Sequence, residues 1–321
     1  MIVVTGACGF IGSCLIKKLN DENFNRIIAV DDFSNDTKNR NIEGKRISLK
    51  IHRNEFADWL KNNGRNVEFI FHLGAKTDTT FQDKKLLKEL NTDYTKRIWT
   101  LCIAHQIPLI YASSAATYGD GEWGYDDDEA LIPKLRPLNL YGESKQNFDV
   151  WALEQTEKPF YWAGLKFFNV YGPNEYHKGR MASVVYHAHQ QIKENGFLRL
   201  FRSHHPNYAD GEQLRDFIYV EDVVEVMYWM MHHRKNSGIY NLGTGQARTF
   251  LSLGKAVFSA LGISENIQFI DTPIDIRDKY QYYTQAETSK LRSIGYDQPF
   301  TTLESGIDHY VSNFLKSDSI N

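Results

Sequence analysis

The run Ile2-Val3-Val4-Thr5-Gly6-Ala7-Cys8-Gly9-Phe10-Ile11-Gly12-Ser13-Cys14-Leu15-Ile16-Lys17-Lys18-Leu19 decides the fold. Its first four residues are β-branched and end at a glycine, as expected for a parallel strand buried on both faces. Gly6, Gly9 and Gly12 follow at intervals of three, and Ser13 to Leu19 carries helical spacing. A glycine turn between strand and helix lets backbone N–H groups approach a pyrophosphate, and the helix N-terminus adds partial positive charge. The spacing Gly-x-x-Gly-x-x-Gly differs from the commoner dinucleotide form, and a tight strand–helix turn without a ligand would look the same. Its place on the first strand favours a dinucleotide.

Working outward, Arg26 to Val30 reads as a second strand ending in Asp31-Asp32. A carboxylate at that distance from the glycines can accept hydrogen bonds from the adenosine ribose, which argues for NAD. Lys38 and Arg53 follow, and either could pair with the 2′-phosphate of NADP, so the residues leave the cofactor open. Strands are expected over 47–52, over 67–73 running into Gly74-Ala75-Lys76-Thr77, and over 108–112, with a long amphipathic helix from Lys84 to His105. Alternation of strand and helix argues for an α/β, Rossmann-like doubly wound parallel sheet.

The bulk properties exclude more than they identify. The 321 residues, 42% of them hydrophobic, suffice for a full core, and a net charge of −3 gives no electrostatic case for nucleic acid or an anionic membrane. No apolar run reaches the length of a membrane span, and the chain opens straight into the glycine loop, so a cytoplasmic protein is expected. Cys8, Cys14 and Cys102 are not spaced as a metal knuckle or redox pair. His187/His189 and His204/His205 lack acidic or cysteine partners at ligand spacing, so no metal is expected. The acidic run Asp126-Asp127-Asp128-Glu129 reads as a solvated loop.

Tyr141-Gly142-Glu143-Ser144-Lys145 carries the chemistry. A tyrosine and a lysine four apart on a helix share one face. An ammonium beside a phenol favours the phenolate, lowering a value that is normally near 10 and fitting the phenol for acid/base work at a carbinol or carbonyl carbon. Ser114, at the end of the 108–112 strand, could hydrogen-bond a substrate oxygen, although turn serines are common.

The order Gly6 loop, Asp31, Gly74-Ala75, Ser114, Tyr141/Lys145 resembles the extended short-chain dehydrogenases/reductases, which act on nucleotide sugars. Within that branch the chain resembles the ADP-glyceromanno-heptose 6-epimerases, and it does so over essentially its full length. The matching segments are Phe168-Asn169-Val170-Tyr171-Gly172-Pro173, His177-Lys178-Gly179, Met181-Ala182-Ser183-Val184, Arg215-Asp216-Phe217, Tyr280-Gln281 and Thr284-Gln285-Ala286.

That resemblance implies inversion at C6″ of ADP-D-glycero-D-manno-heptose to the L-glycero form, in lipopolysaccharide core biosynthesis, by oxidation to a ketone and re-reduction with tightly bound NADP (NAD possible). It implies Tyr141 and Lys178 as two acid/base groups, Lys145 as ribose ligand and modifier of the tyrosine, and Ser114 as the group that orients the reacting oxygen. A second base is also reasonable on geometry, because the two epimers present their hydroxyl on opposite sides of the carbon. Such a lysine needs a depressed pKa.

Implied cofactor contacts are Gly6, Gly9, Phe10, Ile11, Gly12, Asp31, Asp32, Lys38, Arg53, Leu73, Gly74, Ala75, Lys76, Thr77, Asn91, Tyr141, Lys145, Val170 and Lys178. Implied contacts to the ADP-sugar are Ser114, Asn169, Arg180, His187, Phe201, Arg202, Ser203, His204, Arg215 and Tyr280, and a homo-oligomer is implied as well. Two departures stand out: Arg180 occupies a serine position of the enterobacterial members, and the chain between Phe201 and Arg215 is longer. A dinucleotide-binding domain is expected over 1–172 plus 216–245. A smaller discontinuous α/β substrate domain is expected over 173–215 plus 246–321. A dehydratase of the same branch would carry an acidic pair after the serine, where this chain has Ser114-Ala115-Ala116-Thr117. A 4-epimerase gives no reason for His177-Lys178-Gly179, and a non-catalytic cofactor module predicts a damaged tyrosine or lysine.

Overall fold

The computed structural model describes residues 1–277 and 280–316. Twelve strands follow in chain order: β1 Ile2–Thr5, β2 Ile27–Asp31, β3 Leu49–His52, β4 Phe69–His72, β5 Leu109–Ser114, β6 Trp162–Phe167, β7 Asn169–Tyr171, β8 Leu198–Phe201, β9 Leu214–Tyr219, β10 Gly238–Leu242, β11 Ala247–Thr249 and β12 Ile267–Ile270. Seven of them form one parallel sheet in the order β10-β6-β5-β4-β1-β2-β3. The order reverses between β1 and β4, and in such sheets the crevice beyond the carboxyl ends at the reversal is where ligands bind.

The apolar run of β1 has a simple cause. Ile2 and Val4 pack into one core cluster and Val3 into the other, so helices cover both faces of the sheet. The stretch 84–105 is continuously helical, as its periodicity predicts, but with a π turn at Lys88–Asp93 between the α segments Lys84–Leu87 and Tyr94–His105. The π turn carries Asn91, whose side chain bonds the Lys76 backbone and the Ser144 hydroxyl.

Among the described residues two small sheets are added: β11-β9-β7, and β12 paired in parallel with β8. The boundary expected at 215/216 falls within β9, which pairs β7 on one side and β11 on the other. Part of the expected segment 246–321 lies outside the described residues. No helix among the described residues is long and apolar enough to cross a membrane.

The acidic run is exposed at Asp126 and Asp128, as a solvated loop would be, but not at Asp127. Asp127 is buried, and its carboxylate accepts from the backbone N–H of Asn241 at 2.7 Å. Lys290 bonds the Asp127 carbonyl at 3.3 Å and Glu129 at 3.0 Å. A charge run looks solvated from its neighbours in sequence, whereas here β10 supplies the donor from more than a hundred residues away.

His72, at the end of β4, is buried between two hydroxyls. Thr95 donates its own proton to the Asn91 carbonyl at 2.6 Å, so its oxygen accepts from His72 Nε2 at 2.9 Å, and Nδ1 accepts from Thr5 at 2.7 Å. Burial, aided by the Lys145 charge, pushes the imidazole from its ordinary 6.5 down to about 3. The unfolded chain therefore takes up a proton below 6.5 that the native state refuses until about 3, and stability should fall as pH drops through that window. His72→Gln is expected to flatten this part of the pH dependence of the denaturant midpoint. An unchanged slope would assign the acid sensitivity to other groups.

Candidate active site

A cavity of about 940 Å³ lies beyond the carboxyl ends of β1, β2, β4 and β5. One end is the glycine loop, which closes with Gly9 N–H bonding the Gly6 carbonyl at 2.9 Å before the helix Phe10–Asp21 begins. That helix starts three residues earlier than the sequence spacing suggests. A Cβ on Gly12 would land on the Gly6 carbonyl oxygen, so only glycine lets the helix pack this close to the turn. Overpacking of this kind costs roughly 1–3 kcal/mol. Gly12→Ala is accordingly expected to weaken dinucleotide binding by about ten- to a hundredfold, as read by fluorescence titration. An affinity within twofold of the parent would mean that the loop tolerates the methyl group.

The loop, the helix N-terminus and a cavity of this size fit a nicotinamide dinucleotide. Beside the loop, the buried Asp31 carboxylate accepts from Cys8 N–H at 2.9 Å and pairs with Lys38 at 2.5 Å, while Asp32 pairs with Arg53 at 3.3 Å. All four side chains line the cavity. The donor set would serve a free ribose through Asp31 or a 2′-phosphate through the two cations. Leu73, Gly74, Ala75, Lys76 and Thr77 form the wall after β4. Asn91 stands behind that wall. Its side chain exchanges two hydrogen bonds with the Lys76 backbone, at 2.8 and 3.0 Å, and donates to the Ser144 hydroxyl at 2.9 Å.

Ser114, Tyr141 and Lys145 all line the same cavity. The helix Leu140–Glu154 is capped by Asn139, whose side chain accepts from Gly142 N–H at 2.8 Å. A Cβ on Gly142 would meet the Ala116 carbonyl at 2.7 Å, so the glycine inside Tyr-Gly-Glu-Ser-Lys brings the helix onto the turn that follows Ser114. Lys145 is buried, and its ammonium donates to the Ala112 carbonyl at 2.8 Å.

The electrostatics correct one expectation. Burial raises the Tyr141 phenol above its ordinary value, the hydrogen bond with Ser114 pulls it down, and Asp149 raises it further. Lys145 does not supply the dominant influence expected of it. Burial pushes Lys145 itself down to about 8, against the opposing charge of Asp149. The tyrosine in this state is a phenol, ready to donate.

Lys178 lies on the helical turn Tyr176–Met181 and faces the same cavity, with its ammonium 5.3 Å from the Phe10 ring centre. Burial lowers its pKa, and the nearby Glu175 opposes the shift. This is the depressed lysine that a base requires. Glu175 is fully buried and anchors the turn: it accepts from the Ser183 hydroxyl at 2.7 Å and Gly172 N–H at 3.3 Å, and its carbonyl takes the Lys178 N–H at 2.9 Å. The Asn174 side chain donates to Ser13 at 2.9 Å, and Asn41 bridges the Cys8 and Asn174 carbonyls at 3.0 and 2.9 Å. The lysine turn is thus tied to the glycine loop. Sequence reading missed Glu175 and Asn41. The glutamate three residues before the lysine was a usable signal, whereas Asn41 had none.

Asn169 and Val170 join the cavity lining. Phe201, Arg215 and Tyr280 come together elsewhere: the Arg215 guanidinium lies 5.5 Å from the Tyr280 ring centre, and the Phe201 and Tyr280 rings are 6.1 Å apart. Arg215 is buried and bonds the Leu214 carbonyl at 2.8 Å and the Gln281 carbonyl. Phe217, two residues on along β9 and so on the same side of the strand, lines the main cavity. Tyr280 also lines a second cavity of about 450 Å³. The longer loop reaches this second cavity through His205 and Tyr208, whose rings pack on Tyr282 at 5.0 and 5.3 Å.

Arg202 pairs with Asp210 and Asp271 at 3.6 Å each, Ser203 N–H bonds Asp210 at 2.9 Å, and His204 N–H bonds the Tyr282 hydroxyl at 3.0 Å. Arg180 and His187 line neither cavity. Arg180 is exposed, paired with Asp78 at 3.5 Å and bonded to Thr80, and His187 sits on the helix Val184–Asn195 beside Tyr186. Among the described residues no group of three or more His, Cys, Asp or Glu is placed to hold a metal.

The model of the NAD dependent epimerase/dehydratase family matches residues 2–243. The chain belongs to this family. Among its members, an ADP-L-glycero-D-manno-heptose-6-epimerase of Fusobacterium nucleatum is 47% identical, with 99% of each chain covered. One of Nitratidesulfovibrio vulgaris is 46% identical, with 98% of each covered. The crystal structure of the Helicobacter pylori ADP-L-glycero-D-manno-heptose-6-epimerase aligns at a TM-score of 0.79 with 27% identity, covering 97% of this chain and 94% of that one.

Proposed function

We propose that the protein is an ADP-L-glycero-D-manno-heptose 6-epimerase, inverting C6″ of ADP-D-glycero-D-manno-heptose. The observation that carries this reading is near-full-length identity of 40–47% to relatives that bear that name. A buried tyrosine and a depressed lysine lining one cavity support it.

The bound dinucleotide supplies the hydride acceptor and donor, so the substrate is oxidised and then reduced with no net redox change. The residues of the chain manage the protons. As C6″ loses hydride its hydroxyl proton must leave, and as the ketone carbon regains hydride on the other face its oxygen must receive a proton. Tyr141 and Lys178 each hold the proton for one epimer, because the hydroxyl oxygen points to opposite sides of the carbon in the two. Ser114 orients the oxygen through its hydroxyl and lowers the Tyr141 phenol by hydrogen bonding, and Lys145 would hold the nicotinamide ribose. Arg215, a buried guanidinium bonded to the Leu214 and Gln281 carbonyls, suits a diphosphate.

NADP is the cofactor on this reading, held by Lys38 and Arg53, with NAD held through Asp31 as the alternative. Residues 1–172 with 216–245 serve the dinucleotide and the remainder the ADP-sugar, in a cytoplasmic homo-oligomer. Incubation with ADP-D-glycero-D-manno-heptose, followed at C6″ by NMR, is expected to show inversion. Turnover of UDP-galactose without inversion of the heptose would sink the proposal. Denaturing the protein and identifying the released nucleotide decides the cofactor, and NAD alone would overturn NADP.

A further inference from the structure

Behind Ser114, Tyr141 and Lys145 lies an ion pair with no solvent exposure on either side chain. Lys166 on β6 meets Asp149 at 3.0 Å, and Asp149 stands one helical turn after Lys145. The pair touches the Ser114 turn and the helix of Tyr141 and Lys145. Asp149 accepts from Ser113, the residue before Ser114, at 2.6 Å and from Tyr111 at 3.0 Å. Lys166 donates to the Thr117 hydroxyl at 2.6 Å, and Thr117 in turn donates to the Ser114 carbonyl at 2.8 Å. The Lys166 ammonium also lies 5.0 Å from the Tyr118 ring centre.

A buried ion pair is poor value for stability alone, because desolvating both charges offsets most of their attraction and apolar residues of similar volume would pack as well. Its connections suggest another reason for keeping it. The geometry points to Asp149 and Lys166 as positioning residues for epimerisation: through Ser113 and Thr117 they hold the Ser114 turn, and the Asp149 charge acts on Lys145 across one helical turn. This rests on the epimerase reading.

The other groups around Lys145 sharpen the consequence. On its own helix are Tyr141 and Asp149, on β4 is the neutral His72, and Tyr111 on β5 and Lys166 on β6 face Asp149. From the π turn only the uncharged Asn91 and Thr92 reach the neighbouring Ser144. Asp149 is therefore the anion that keeps Lys145 protonated against its burial. Without that charge Lys145 gives up its proton at lower pH, and the alkaline limb of the kcat profile moves down.

The decisive variant is the double substitution Asp149→Asn with Lys166→Met, which removes both charges and leaves neither uncompensated. It is expected to fold and retain the dinucleotide, with KM little changed, kcat at least about tenfold lower and the alkaline limb at lower pH. Thr117→Val, which severs the link from Lys166 to Ser114 without touching a charge, is expected to lower kcat several-fold at unchanged KM. A purely structural pair predicts altered unfolding midpoints with parental kcat and pH profile. That result in the double variant, or in Thr117→Val should the double variant not fold, overturns the inference. If the parent protein itself leaves C6″ uninverted, the epimerase reading fails instead.

Discussion

Tyr141→Phe is expected to lower turnover of ADP-D-glycero-D-manno-heptose by about 10²–10⁴-fold, the range that a positioned acid/base group contributes. The substitution removes one oxygen and keeps the ring, which is only 9% exposed. The hydroxyl has Ser114 as its hydrogen-bonding neighbour, so the helix Leu140–Glu154, its Asn139 cap and the Lys145 bond to the Ala112 carbonyl should all persist. Dinucleotide affinity should therefore stay near the parental value while kcat collapses. Steady-state kinetics with the heptose, beside a titration of the dinucleotide, separates the two. Turnover within tenfold of the parent would remove the tyrosine from the proton chemistry.

Lys178→Met should abolish inversion to a similar extent, with a different signature. Methionine nearly matches the lysine stem, so the substitution removes the ammonium over the Phe10 ring while the Glu175 anchors remain. If Tyr141 still serves the epimer that faces it, oxidation of that epimer persists while the opposite product fails to form. Reduced nicotinamide should then accumulate, visible in near-ultraviolet absorbance, with no change of configuration at C6″. A variant that inverts the sugar at near-parental rate would leave Tyr141 as the single acid/base group.

The pKa directions set the sense of both results. Burial holds the tyrosine as phenol and moves the lysine toward free amine, so at neutral pH one group is ready to give a proton and the other comes closer to accepting one. That complementarity does not follow from either residue type alone.

Much of the frame was legible because it depends on local pattern. The β-branched run before Gly6, the glycines at intervals of three and the helical period of 84–105 each specify an element from residues within a few turns of one another. The order of those elements then specifies the parallel sheet. The Lys178 turn was legible as a motif.

Contacts with partners far along the chain were not legible. The acidic run hides Asp127 against β10, Arg180 turns to Asp78, and Asn41 clamps a loop more than a hundred residues away. The sequence by itself determined the doubly wound sheet and the residue types brought to its carboxyl edge, since periodicity and turn chemistry are local. Only the tertiary structure decided the protonation of those residues. Burial, and the charges of Asp149 and Glu175, set the proton affinities of Tyr141, Lys145 and Lys178, and both effects depend on what packs around a group in space.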